Sequence, residues 1–194
     1  SVGKDDAPNY HQRRWQDYFT FSTDHKVIGI QYFCLGFIFY LIGGLLAEGI
    51  RTELATPDPD LVDPATYNSM FTMHGTIMIF LWIVPAGTGA FANYLLPLMI
   101  GARDMAFPKL NAVAFWMIPP AGILLMASFF TGTAQAGWTS YPPLSLIGPK
   151  AGEAIWIISL LLLGTSSILG GINVFTTILK MRIPSMSMMQ MPLF

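Results

Sequence analysis

Polar and apolar residues fall in long blocks along this chain. Four apolar runs, about 27–46, 70–100, 110–131 and 154–179, contain no Lys, Arg, Asp or Glu. Roughly 20 apolar residues in a helix, at ~1.5 Å each, cross a hydrocarbon core of ~30 Å. Inside lipid every backbone polar group must be satisfied within the segment, which an open sheet cannot do. The pattern therefore predicts an all-α membrane protein with four transmembrane helices. The second run is too long for one perpendicular crossing. It is expected to tilt, kink or project, with Pro85 as the candidate kink.

The runs divide the chain into a polar N-terminal segment, 1–26, a four-span membrane domain, 27–180, and a C-terminal segment, 181–194. Composition supports the membrane reading: 53% of residues are hydrophobic and 11% charged, against about a quarter charged in soluble domains. Residues 1–17 are polar and do not read as a signal peptide. Cys34, alone in its type, reads as small apolar filler within the first run. The net charge of −1 gives no reason to expect a nucleic-acid partner.

Charge sets direction. The N-terminal segment, the 101–109 loop and the tail hold Lys4, Arg13, Arg14, Lys26, Arg103, Lys109, Lys180 and Arg182, eight of the ten basic residues. The opposite loops hold Arg51 and Lys150 against Glu48, Glu53, Asp58, Asp60, Asp63 and Glu153. By the positive-inside rule both termini face the cytoplasm.

A few polar residues need explaining. His11 and His25 lie in the polar N-terminal stretch, so only His74 is expected to be surrounded by hydrocarbon or packed protein. Imidazole is a common haem ligand, and an ionisable group within a membrane is a functional-site candidate. The competing reading is a helix-packing histidine bonded to a neighbour's carbonyl. Gly75, Gly87, Gly89 and Ala90 would let a helix or a flat macrocycle approach. Arg51 and Glu53 are open to reading as an interfacial anchor and a solvated carboxylate, or as a donor to a ligand edge and a hard-cation ligand. Asp104 sits in the turn between spans two and three. It is a loop carboxylate, or the mouth of a proton path continued by Asn93, Asn111, Thr165, Ser166, Ser167 and Asn173. Each Ser or Asn also suits a plain interhelical hydrogen bond. Trp138 and Tyr141 suit an interfacial belt, and the Trp138 indole N–H also suits an anionic ligand group.

Several motifs carry a resemblance: D-H-K-V-I-G-I-Q-Y, R-T-E-L, M-H-G-T-I-M-I-F, N-Y-L-L-P-L-M-I-G-A-R-D-M-A-F-P-K-L-N, G-W-T-S-Y-P-P-L and S-S-I-L-G-G-I-N. From about Trp15 to Phe194 the chain resembles subunit I of the haem–copper oxidases. It is most similar to the cytochrome c oxidase branch that carries haem A. The resemblance implies the N-terminal third of a twelve-helix bundle, with the chain stopping where a fifth span would begin. It places His74 at one axial position of the low-spin haem, Arg51 at that haem's formyl group and Trp138 near its propionates. Glu53 falls at a calcium or sodium site. Asp104 falls at the entrance of a proton pathway, with Tyr32, Asn93, Asn111, Ser166, Ser167 and Asn173 along it.

The resemblance also implies that the second axial ligand, the oxygen-binding haem and the copper site belong to the remainder of subunit I. No catalytic residue is expected in this portion. The implied reaction passes electrons from cytochrome c through haem to oxygen, reduced to water, coupled to proton pumping in an energy-transducing or bacterial inner membrane. The implied partners are oxidase subunits II and III, cytochrome c and lipid. A quinol oxidase is the nearest alternative. Those enzymes tend to carry another histidine just before the haem ligand, where this chain has Y-N-S-M-F-T-M, and to lack the acid at Glu53. A stand-alone four-span haem-binding or channel protein is the alternative from another class.

Overall fold

The computed structural model describes residues 15–55, 57 and 61–192. Lys4, His11, Arg13, Arg14, Asp58 and Asp60 of the charge map lie outside the described residues. Among the described residues there is no strand, and four helical stretches are long and apolar enough to cross a membrane.

The first two spans start before their apolar runs, where aspartates cap them. α1 spans His25–Glu53, starting two residues before the apolar block because the Asp24 carboxylate accepts from the Lys26 and Val27 amides. At its other end it extends past Leu46 to carry Glu48, Arg51 and Glu53. α2 spans Pro64–Ile77, with Asp63 capping the Thr66 amide at 2.6 Å and Pro64 at the first helical position. It continues without a break through two π-helical segments, Met78–Ile83 and Pro85–Phe91, into α3, Ala92–Ile100. The whole second span is 37 residues long.

The disruption expected at Pro85 takes the form of a wider ladder. The Val84 amide reaches back five residues to the Ile79 carbonyl. Proline has no amide and its ring crowds the carbonyl four residues earlier, so an i→i−4 ladder cannot pass through it unchanged. α3 ends at Gly101, whose φ of +73° is the left-handed cap, and the Ala102 amide returns to the Pro97 carbonyl.

α4, Pro108–Trp116, and α5, Ile118–Ala127, make up the third span, divided at Met117 where Pro119 and Pro120 withdraw two donors. After a loop containing the one-turn helix α6, Leu144–Ile147, the fourth span is α7, Lys150–Lys180.

α1 lies along the whole second span, α4 and α5 pack on α7, and α1–α4 and α3–α7 contacts close the bundle. Ile28, Tyr32, Phe39, Ile77, Leu81, Phe115, Leu125 and Leu163 fill the centre. The outer faces stay apolar: Phe37, Leu45, Ile123, Leu161 and Phe175 are exposed. In water such faces would aggregate; against lipid tails they carry no such cost.

The bundle gathers Lys26, Arg103, Lys109, Lys180 and Arg182 at one end, where α1 begins and α3 and α7 finish. Arg51 and Lys150 sit at the other. Below, the first is called the basic end and the second the acidic end.

Candidate functional site

The structure arranges the candidate residues in two groups, one toward each end.

Toward the acidic end, His74 is half-buried in the last turn of α2 and its Nδ1 lies 2.9 Å from the Gly43 carbonyl of α1. A carbonyl only accepts, so Nδ1 carries the proton. The neutral ring then presents a lone pair on Nε2. The bond described by the packing reading is therefore real, and it is also the bond that fixes a metal-ligating imidazole in tautomer and orientation.

Gly75 follows, and here the close neighbour is an indole: a Cβ added to Gly75 would stand 3.3 Å from Trp138 Cδ1. Trp138 also meets Phe80 edge-on, with centroids 6.1 Å apart. It remains 44% exposed. Gly75, Phe80 and Trp138 thus meet at one place, one residue along the helix from His74. Arg51 is exposed in the last turn of α1, eight residues or ~12 Å beyond Gly43 along the helix. It makes no hydrogen bond or ion pair among the described residues.

These residues would suit a haem: an imidazole held through Nδ1, a small residue next to it and an indole packed on that small residue. They supply one axial position only. His25, the other histidine among the described residues, lies eighteen residues or ~27 Å from Gly43 along α1.

Glu53 is only 5% exposed, and its Oε2 accepts the Val62 amide at 3.1 Å. It lines a concavity of about 600 Å³ with Leu54, Leu61, Asp63, Tyr67 and Asn68. The Asp63 carboxylate there is committed to Thr66, whose backbone N–H and hydroxyl hold its pKa below the usual carboxylate value. Among the described residues no three His, Cys, Asp or Glu stand together as a metal cage. A cation at Glu53 would rely mainly on backbone and amide oxygens.

At the basic end, polar residues form a column. On α7, Ser159, Ser166 and Asn173 recur every seven residues, which puts them on one helix face. Each reaches the third span or the turn before it. Ser159 donates to the Ala121 carbonyl at 2.7 Å and Ser166 to the Ala114 carbonyl at 2.6 Å, while Asn173 Oδ1 accepts the Phe107 amide at 2.9 Å. Asn111 donates to Asn93 Oδ1 at 2.6 Å, and Asn93 to the Gly89 carbonyl. Tyr32, Asn93, Ser166 and the exposed Ser167 line one cavity of about 190 Å³, large enough for several waters. Asn111 Oδ1 is buried and has no partner, an acceptor open to a further donor.

Asp104 is half-buried in the 101–107 loop, its Oδ1 accepting the Met105 amide at 2.7 Å. The structure does not bond it directly to the column. The link is the loop backbone, held on α7 through Phe107 to Asn173 and Ala106 to Thr177. One other expectation changes. Thr165 is exposed and bonds its own helix at Leu161, outside the column. Tyr141 is 72% exposed.

Comparison with known proteins follows this geometry. A sequence profile described as cytochrome c and quinol oxidase polypeptide I matches residues 27–194. The chain belongs to that family. It is 68% identical to cytochrome c oxidase subunit 1 of Synechocystis sp. over 186 residues, 96% of this chain and 34% of that protein. To the subunit of the same name from Thermostichus vulcanus it is 65% identical over 181 residues, 93% of this chain and 33% of the relative. To that from Corynebacterium efficiens it is 46% identical over 177 residues, 89% and 30% respectively. The chain spans about a third of the length of these curated relatives. Membership in the oxidase polypeptide I family implies haem, and it agrees with an integral membrane protein of several helices.

Within this oxidase-family chain, sequence reading missed several buried polar residues. His25 was assigned to the polar N-terminal stretch. It is instead 4% exposed, more buried than His74, with Nδ1 2.7 Å from the Asn93 carbonyl. The Asp24 cap starts α1 early enough to fold this ring against α3. Thr72, Thr76, Thr177 and Trp156 are likewise buried and bonded. The repeat of Thr72 and Thr76 at i, i+4 inside an apolar run was the available signal.

Proposed function

We propose that this chain supplies one side of a low-spin haem site and the cytoplasmic half of a proton path in the catalytic subunit of a respiratory terminal oxidase. The observation that carries the reading is the His74 imidazole, with Nδ1–H fixed on the Gly43 carbonyl and Nε2 free. Its setting is a family whose relatives at 65–68% identity are named cytochrome c oxidase subunit 1. The complete enzyme would take electrons from cytochrome c, pass them through haem and reduce oxygen to water, coupled to proton translocation.

Bound there, a haem of the A type supplies one-electron transfer. His74 would hold the iron through Nε2. Arg51 would donate to the formyl edge, and Trp138 would close the propionate side. The second axial ligand, the oxygen-binding haem and copper would come from the remainder of the subunit. Glu53 would help hold calcium or sodium. Asp104 would collect protons at the basic, cytoplasmic end. The column of Asn111, Asn93, Asn173, Tyr32, Ser166 and Ser167 would orient waters along the cavity. Oxidase subunits II and III would be its partners, in an energy-transducing membrane of bacterial type.

The test is His74→Ala in the complete enzyme. The low-spin haem absorption is expected to disappear, and an unchanged spectrum overturns the assignment. Steady-state oxidation of reduced cytochrome c, compared with a quinol, identifies the donor; turnover with quinol alone would move the protein to the quinol-oxidising branch.

A further inference from the structure

The reading above leaves three buried polar side chains without a role. They form one chain. Trp156 Nε1 on α7 donates to Thr76 Oγ1 at 3.0 Å. Thr76 Oγ1 donates to the Thr72 carbonyl at 2.8 Å. Thr72 Oγ1 accepts the Gly137 amide at 2.8 Å. Thr72 and Thr76 are fully buried and Trp156 nearly so. The series runs from α7 through α2 and ends on the residue before Trp138.

Thr72 and Thr177 differ from the other threonines of the spans in accepting a distant loop amide, that of Gly137 for Thr72 and that of Ala106 for Thr177. Thr76, Thr88, Thr165 and Thr176 donate to the carbonyl four residues earlier in their own helix. Thr72 Oγ1 receives a loop amide from 65 positions away in sequence. That loop is a tight turn, with the Ser140 amide returning to the Gly137 carbonyl at 3.1 Å. One end of the turn is tied to α2 by Thr72; the other is tied to α7 by the Ser140–Glu153 hydrogen bond. Between these ties the Trp138 ring lies on Gly75, one residue from His74. A half-exposed indole on a loop has little of its own to fix it. Buried hydrogen-bonded networks of this kind rigidify what they hold.

We propose that Thr72 is a positioning residue for the haem site: through the Gly137 amide it holds Trp138 against Gly75 and so sets the surroundings of the group bound by His74. The inference rests on the reading that His74 and Trp138 border a haem. Burial and hydrogen bonding around a haem are the protein's levers on its potential. Thr72 touches none of the reacting atoms, so its effect passes through Trp138.

The experiment is a spectroelectrochemical titration of the low-spin haem in the complete oxidase. The variants are Trp138→Phe, Thr72→Val, Thr72→Ala, Thr72→Ser and the double variant Thr72→Val/Trp138→Phe. Trp138→Phe is expected to shift the midpoint potential. Thr72→Val and Thr72→Ala shift it in the same direction by less, and Thr72→Ser, which keeps the acceptor oxygen, restores the parent value. The double variant matches Trp138→Phe alone, as required when one residue acts through another.

An unmoved potential in the Val and Ala variants, with Trp138→Phe shifted, overturns the proposal and leaves the haem-site reading intact. No shift in Trp138→Phe takes the indole off the haem and the proposal fails with it. Full additivity in the double variant overturns action through Trp138. Loss of haem from all three Thr72 variants makes the residue purely structural.

Discussion

His74 and His25 reverse the order of burial that their neighbours in sequence suggest. His74 lies within an apolar run yet is only half-buried. His25 lies among charged residues yet is enclosed, bonded to the Asn93 backbone. Nearest neighbours in sequence report the local run; enclosure depends on which helix arrives from elsewhere. Two predictions belong to single residues. Asp104→Asn in the complete enzyme is expected to slow proton uptake and turnover with haem content unchanged; normal pumping would make Asp104 a plain loop carboxylate. For Asp63, donation from the Thr66 backbone N–H and hydroxyl lowers the folded-state pKa. The cap is therefore fully present above the ordinary carboxylate range and is lost as pH falls through the folded value. The protection factor of the Thr66 amide, its exchange rate relative to the intrinsic rate at each pH, is expected to fall on acidification, and Asp63→Ala to keep protection low at every pH.

At the scale of elements, the apolar runs were legible and their ends were not. Lipid solvation sets the runs; Asp24, Asp63 and Gly101 set the ends. On α7 the sequence analysis singled out Ser166 and Asn173 but not Ser159, which the seven-residue spacing puts on the same face. What these residues bond was not legible, because that depends on the register of the third span. The π-helical stretch around Pro85 was visible only as a proline in a helix, not as a widened ladder. Gly101 carries this paragraph's prediction. Its φ of +73° disfavours any side chain, and an added Cβ would stand 2.6 Å from Ile183 Cγ2. Gly101→Ala is expected to destabilise by roughly 1–2 kcal/mol. The Ile183 amide bonds the Ile100 carbonyl beside this turn, so the loop carrying Asp104 should loosen too. Thermal unfolding in detergent and proteolysis within 101–107 measure the two effects; parent behaviour in both would remove the turn from the loop's support.

At the scale of the molecule, the charges segregate. The basic end collects Lys26, Arg103, Lys109, Lys180 and Arg182, and the acidic end Glu48, Glu53, Asp63 and Glu153. By the positive-inside rule the bundle is expected to place the Asp104 loop in the cytoplasm and the Trp138 loop outside. Single cysteines at position 103 and at position 139, in a Cys34→Ser background, test this. An impermeant maleimide applied to sealed cells is expected to label position 139 and spare position 103. The opposite pattern would invert the topology and detach Asp104 from cytoplasmic protons.

The sequence by itself determined that this is a four-span helical membrane chain, which way its charges point, and the oxidase-like motifs around His74 and Asp104. These follow from composition and local spacing, which lipid and helix geometry convert directly into structure. The tertiary structure alone decided which groups meet across helices. It put His74 on the Gly43 carbonyl, Trp138 on Gly75, Asn111 on Asn93, and Thr72 under the Gly137 turn. Such contacts join residues far apart in sequence, so their geometry is set by helix packing, which no local pattern encodes.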